Sequence, residues 1–405
     1  QFAVPEREDG THPIKVIAED KAGNRNVIQK DLVIDTQIPD EITGRLSASS
    51  DKGQYINDGV TNINQNLSFD GQAEVDASVV LVLSGKTYTA AVDATGHWDV
   101  TIPDLIPDGS YTAEVRVTDR AGNMGVKSIR FEVDTIKPEM SDIKLKPEDD
   151  TGFDNTDGIT NVANPTIVGS ASTDTAKVWI TIDGTSKSYD AVINPDGSWS
   201  AKLSNIGEGE FTYTVHAVDV AGNTNESTGH AITVDTRNNV DGRLDEGSDS
   251  GASSSDGITN VQRPTFSGTT DRGNQVFLEV KNSSGDTVYS DSKQVDGTDF
   301  SFTVGSNLYD GDYTWSIIAV DKAGNAVPDE GSFTIDTSSY VTAGLSSASD
   351  TGQKGDNITN LKNPILSGDA EDSSVITVDV TGNFGGSVST KTYTAKANAA
   401  GTWTL

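Results

Sequence analysis

The chain has 405 residues, 61 of them acidic against 29 basic, giving a formal charge of −32; 34% of it is apolar and it has no cysteine. That balance argues against nucleic acid and anionic membrane surfaces, which select basic patches, and it excludes disulfides and zinc–thiolate centres. No signal peptide or long apolar run is read in these residues, so no membrane insertion is expected of this segment; divalent cations are its natural complement.

In chain order the elements repeat. Residues 1–38 hold the C-terminal part of a unit: the pentapeptide Asp-x-Ala-Gly-Asn at Asp20–Asn24 and an apolar strand closed by Asp35-Thr36. Residues 39–137 hold a whole unit. Its first strand ends near Leu46, an acidic loop runs from Asp51 to Asp58 and on to Asn62, and a second strand begins at Leu67. Val79–Leu83 reads as a central strand, and Tyr111, Ala113, Val115 and Val117 alternate with polar residues at the strand period of two. The pentapeptide returns at Asp119–Asn123, and Asp134-Thr135 closes the unit.

Residues 138–238 repeat the order, with a strand end near Leu145, an acidic loop from Asp150 through Asp157 to Asn161, a run at Val178-Trp179-Ile180, the pentapeptide Asp219–Asn223 and Asp235-Thr236. Residues 239–338 do so again, with Leu244, the loop Asp249, Asp256 and Asn260, the pentapeptide Asp321–Asn325 and Asp336-Thr337. Residues 339–405 hold the N-terminal part of a further unit, with the loop Asp350, Asp356 and Asn360, and run to Trp403, the counterpart of Trp98 and Trp199. The pentapeptides recur at intervals of 99, 100 and 102 residues. Three unrelated motifs sharing one period make the chain a tandem array. Each unit holds about seven short strands and no helical period, which predicts all-β, immunoglobulin-like sandwiches in series, forming an elongated rod.

In that topology the acidic loop and the Asp-Thr pair lie where the chain leaves a sandwich, and the pentapeptide lies where it enters the next. The link after Asp134 is about four residues and spans at most ~14 Å, so neighbours must touch. Head-to-tail stacking then pools Asp51, Asp58, Asn62 and Asp134 with Asp219 and Asn223. The equivalent sets are Asp35 with Asp119 and Asn123; Asp150, Asp157, Asn161 and Asp235 with Asp321 and Asn325; Asp249, Asp256, Asn260 and Asp336; and Asp350, Asp356 and Asn360. Carboxylate and amide oxygens in such number suit Ca2+, which takes six to eight oxygen ligands, better than Mg2+. The competing reading is that Asp, Asn and Gly merely form turns.

These motifs resemble the bacterial Ig-like repeats of giant adhesins exported by type I secretion. The resemblance rests on Ser248–Asn260, Asn164-Pro165 with Gly169, Gly197-Ser198-Trp199, the pentapeptide and the closing Asp-Thr. It implies a secreted, monomeric rod on the bacterial cell surface, stiffened by Ca2+ at its junctions, with virulence-related adhesion to a host-cell glycan or glycoprotein. Two departures stand out. The links after Asp235 and Asp336 lack the nearby proline found at Pro39 and Pro138, and the last acidic loop is one residue short, with Asn357 in place of glycine.

No catalytic site is read. His12, His97, His216 and His230 share no repeat position, and nothing pairs a histidine with a nucleophile. His216 is expected to face solvent, and Trp98, Trp199 and Trp403 to pack in cores. Trp179 and Trp315 are expected there too, as local variants. The alternative to a structural array is a lectin-like module in one repeat, marked by an exposed aromatic flanked by acids or amides in that repeat only.

Overall fold

The structure is a computed structural model that describes residues 5–251, 253–384 and 387–405. Residues 1–4, at the start of the expected partial repeat 1–38, lie outside it. All regular secondary structure among the described residues is β. Two compact units are distinguished, residues 1–237 with 322–325, and residues 238–321 with 326–405.

In the first unit, Gly10–Glu19 and Arg25–Ile34 form an antiparallel hairpin in continuous register. The next segment is a two-layer sandwich. One layer carries Arg45–Leu46, Leu67–Gln72 and His97–Ile102; the other carries Val60–Thr61, Met124–Val133, Gly109–Thr118 and Ser78–Leu83, and Lys86–Val92 pairs with both. The third segment repeats this, with Met140–Leu145, Thr166–Ala171 and Ser198–Lys202 against Ile159–Thr160, Thr224–Val234, Gly209–Asp219 and Thr175–Ile182. Alternation drives the layering. Leu67 and Phe69, Val79, Leu81 and Leu83, and Ala113, Val115 and Val117 point inward at every second residue, all of them buried. Each buried leucine, valine or phenylalanine among them contributes about 1.5–3 kcal/mol of burial. The hydroxyl of Tyr111 donates to Pro107 O at 2.7 Å, the strand-corner bond typical of immunoglobulin-like sandwiches.

The second unit carries another such sandwich. Val240–Leu244, Thr265–Thr270 and Asp299–Thr303 face Ile258–Thr259, Ala326–Ile335, Gly311–Val320, Gln275–Asn282 and Thr287–Gln294. Tyr313 repeats the corner bond to Tyr309 O at 2.8 Å. Residues 339–405 add a small sheet of Gly344–Leu345, Leu366–Asp369 and Thr402–Thr404, and a hairpin of Val375–Phe384 with Ser387–Lys396.

Glycines set the closest approaches. A Cβ on Gly169 would lie 2.5 Å from the Trp199 ring, and one on Gly71 2.7 Å from Trp98. Tryptophan at this repeat position thus lies flat on bare backbone. Trp98, Trp199 and Trp403 are core residues, as expected, and Trp315 is buried as well.

Trp179 corrects its expectation. Val178 and Ile180 take the buried phase of its strand, so Trp179 faces outward. There it stacks on His216, ring centroids 5.0 Å apart and 9° from parallel, with Lys177 Nζ 5.5 Å from the ring. His216 is on the outer face but largely covered, bonded to Thr181 Oγ1 and Glu226 Oε1.

Candidate metal centre

The acidic loop crosses from one layer to the other, and a short strand that the sequence did not suggest anchors its far end. Val60–Thr61 pairs in parallel with Glu132–Val133, and Asp134 N donates to Thr61 O at 2.9 Å. The same pairing recurs at Ile159–Thr160 and Ile258–Thr259, where Asp235 N and Asp336 N donate to Thr160 O and Thr259 O at 2.9 Å. The buried threonine ties the loop's ends together. Thr61 Oγ1 donates to Ser50 O at 2.5 Å, and Thr160 and Thr259 do likewise to Asp149 O and Ser248 O.

This frame gives the two loop acids different work. The second acid makes a turn: Asp58, Asp157, Asp256 and Asp356 each accept the backbone N–H two residues on, at 2.9–3.1 Å. The turn-forming reading therefore accounts for them. It does not account for the first acid. Asp51, Asp150, Asp249 and Asp350 are 5, 9, 6 and 5% exposed, and in all four Oδ1 is buried without a hydrogen-bond partner. Oδ2 of Asp51 accepts Asn57 N at 2.7 Å. An unsatisfied buried polar atom costs about 1–3 kcal/mol, more when charged. Burial pushes the Asp51 carboxyl above the usual range, and nearby Asp58 adds to the shift against the Asn57 N–H. Asp150 is raised in the same way, with Asp157 and Asp154 as its acidic neighbours.

The pentapeptide is a self-bonded turn. Asp219 accepts Asn223 N on Oδ1 at 2.8 Å and Asn223 Nδ2 on Oδ2 at 2.9 Å. That Nδ2 also donates to Asp134 O at 2.8 Å, which joins one repeat to the next. Asn123 does the same to Asp35 O at 3.0 Å, and Asn325 to Asp235 O at 2.8 Å. These asparagines hold the junction through their amide N–H groups, where the sequence suggested oxygen ligands. Asp119 is under the same two pulls: burial raises its carboxyl, and the Asn123 and Gly122 N–H groups outweigh it and lower it.

Asp134 and Asp219 are brought together as the sequence suggested, and a third acid joins them. Ligand oxygens of Asp134, Asp174 and Asp219 lie within 4.8 Å of one another. Burial raises the Asp134 carboxyl, and Asp219, Asp174 and Asp108 raise it further against the Ile136 N–H. Asp174 was missed by sequence reasoning. A signal existed, since Asp76 and Asp174 stand equally far beyond Gly71 and Gly169.

Asp51 and Asp58 are not members of that cluster. Their loop meets the pentapeptide through backbone, with Gln54 N donating to Val220 O at 2.9 Å. Gly53 is required there, because a Cβ would lie 2.4 Å from Val220 O. The six residues pooled in the sequence thus divide into a loop pair and an inter-repeat cluster. The loop asparagines are held by backbone: Asn161 N, Asn260 N and Asn360 N bond the hydroxyl of Thr151, Ser250 and Thr351. The Asn62 side-chain amide nitrogen lies at the same loop end, beside Gly222.

No curated protein matches the chain. Among solved structures it is similar to the tetra-tandem repeat in the extending region of a large adhesion protein, at 23% identity over 90% of this chain and 89% of that one, TM-score 0.28. It is also similar to a Ca2+-stabilized adhesin that helps an Antarctic bacterium reach out and bind ice, at 23% identity over 89% of each chain, TM-score 0.32. A third is a 1.5-MDa bacterial ice-binding adhesin, at 23% identity over 73% of this chain and 96% of that one, TM-score 0.31. The sequence pattern of the bacterial Ig-like domain matches residues 37–135, 137–236, 238–337 and 338–405. With nearly its whole length matched, the chain belongs to the bacterial Ig-like domain family.

Proposed function

We propose that the chain is part of the repeat region of a secreted, cell-surface bacterial adhesin, and that Ca2+ bound at its acidic groups stiffens the array for adhesion to a host cell. The observation that carries the metal is the buried, unpartnered Oδ1 of Asp51, Asp150, Asp249 and Asp350, the same atom in every copy of the loop. Turn formation needs the second acid and leaves this oxygen unexplained. A hard dication supplies the missing positive charge, and carboxylate-rich sites of irregular geometry suit Ca2+ over Mg2+. The loop acids would hold it with Asp58, Asp157, Asp256 and Asp356. Asp134, Asp174 and Asp219 would form a second position at the junction.

The repeats are taken as 39–137, 138–238 and 239–338, with partial repeats at 1–38 and 339–405. The motif set resembles that of the Salmonella giant non-fimbrial adhesin, which motivates type I secretion, a monomeric chain and a host-surface glycan or glycoprotein as partner. No turnover is assigned, since the acids recur in every repeat instead of meeting in one unique constellation. Trp179 is stacked on His216 and is not itself an open sugar platform; the more exposed aromatics beside acids are Tyr309 and Phe153.

Calcium that binds the docked arrangement better than the undocked one favours docking by linkage. At a hundredfold above its dissociation constant, one site contributes ~2.7 kcal/mol. The test is small-angle scattering of the full chain with calcium and with chelator. The maximum dimension should shorten and the profile broaden when calcium is removed; an unchanged profile refutes the stiffening role.

A further inference from the structure

The fourth acidic loop differs from the others in length, in its turn residue and in one basic side chain. Between Asp350 and Asp356 it is one residue shorter than the other three. Asn357 replaces Gly59, Gly158 and Gly257 and takes their left-handed conformation at φ 58°, which asparagine tolerates. Within the shortened loop stands Lys354. Its Nζ donates to Ser347 O at 2.9 Å and to Asp350 O. The next residue, Gly355, donates its N–H to Asp350 Oδ2 at 2.5 Å. The second and third loops have no Lys or Arg between their acids, and in the first the only one is Lys52, directly after Asp51.

We infer that Lys354 is the built-in cation of the fourth loop: its ammonium ties the loop's own carbonyl oxygens, so this loop stays closed without calcium. An ammonium has three donors and no acceptor, and its bonds to carbonyl oxygens are charge-assisted. It brings one positive charge to a pair of acids, half that of Ca2+, but it cannot dissociate. Asp350 Oδ1 is still buried and unpartnered, so Lys354 holds the loop through its carbonyls and leaves the carboxylate open to an ion. Because the ammonium is near solvent, its attraction is screened by salt, whereas a chelator leaves it untouched. This inference rests on the calcium reading of the other loops and makes the array's calcium response uneven: three loops respond and one does not.

Hydrogen exchange of the full chain, read on peptides covering 51–62 and 350–360, tests it in excess calcium and in chelator, for the native chain and for Lys354→Gln and Lys354→Arg. In the native chain, chelation should speed exchange of 51–62 by about tenfold and leave 350–360 within about twofold. Lys354→Gln should speed 350–360 by about tenfold in chelator, and Lys354→Arg should keep it slow. Equal loosening of both loops in the native chain, or no change at 350–360 in Lys354→Gln, overturns the inference. If 51–62 ignores calcium while Lys354→Gln still opens 350–360, the calcium reading falls and the closing role of Lys354 stands.

Discussion

Replacing Asp174 by asparagine should change the sign of its effect with calcium. In the junction cluster the ligand oxygens of Asp134, Asp174 and Asp219 lie within 4.8 Å of one another. At that separation two unit charges repel by about 0.9 kcal/mol in water and about 3.5 at an effective dielectric near 20. Asp174 is exposed, so the lower figure applies to its pairs. Neutralising it removes two of the three repulsions, and Asp174→Asn should stabilise the metal-free junction by about 1 kcal/mol after screening. In calcium the same change removes a ligand. At a hundredfold excess over the dissociation constant the ion contributes ~2.7 kcal/mol, and a hundredfold weaker site contributes only about 0.4. The variant should therefore be the more stable in chelator and the less stable in calcium. Denaturant titration with hydrogen exchange read at 134–140 and 219–225 gives both numbers on the intact chain. Destabilisation of equal size in both conditions would refute the argument, because it would mean that Asp174 acts through packing instead of charge.

Two further outcomes are expected. Asp51, Asp134 and Asp150 have folded carboxyl pKa values raised above 3.8, with burial as the largest cause. A raised acid opposes folding while charged, so the metal-free chain should gain stability from these three as pH falls from neutral through their raised values, the gain levelling off near 3.8. Calcium affinity should weaken over the same window, because the ion competes with the proton; titrations at about pH 7 and about pH 4 that give one affinity would contradict this. Gly169→Ala puts a Cβ 2.5 Å from the Trp199 ring, an overpacking that should cost about 1–3 kcal/mol, seen as an earlier shift in Trp199 fluorescence on denaturation. A neutral result would show that the ring moves freely.

Strand alternation and the shared period made the sandwich architecture legible in the sequence, because each depends on local pattern. The Trp179 error has a local cause as well: Val178-Trp179-Ile180 is continuously apolar, so the run carries no alternation from which to read which side faces in. Asp174 was missed because it lies in an ordinary loop and gains meaning only from the strands that bring it to Asp134. The asparagine amides were read as oxygen ligands, since composition cannot tell which end of an amide is used; geometry assigns the N–H end to Asp134 O. The division of labour between the two loop acids was also invisible. It depends on Val60–Thr61, a strand too short to carry a pattern.

That short strand also decides how a repeat answers tension. Val60–Thr61, near the start of its sandwich, runs parallel to Glu132–Val133 at the end, with Glu132 N bonded to Gly59 O at 2.8 Å and Asp134 N to Thr61 O. Pulling on the two ends of the sandwich drags these strands past each other along their length, so the bonds are loaded together in shear instead of being peeled one by one. The acidic loop lies inside this clasp, between the first strand and the short one. A pull on the chain therefore has to break the clasp before it can separate the core strands from Leu67 onward.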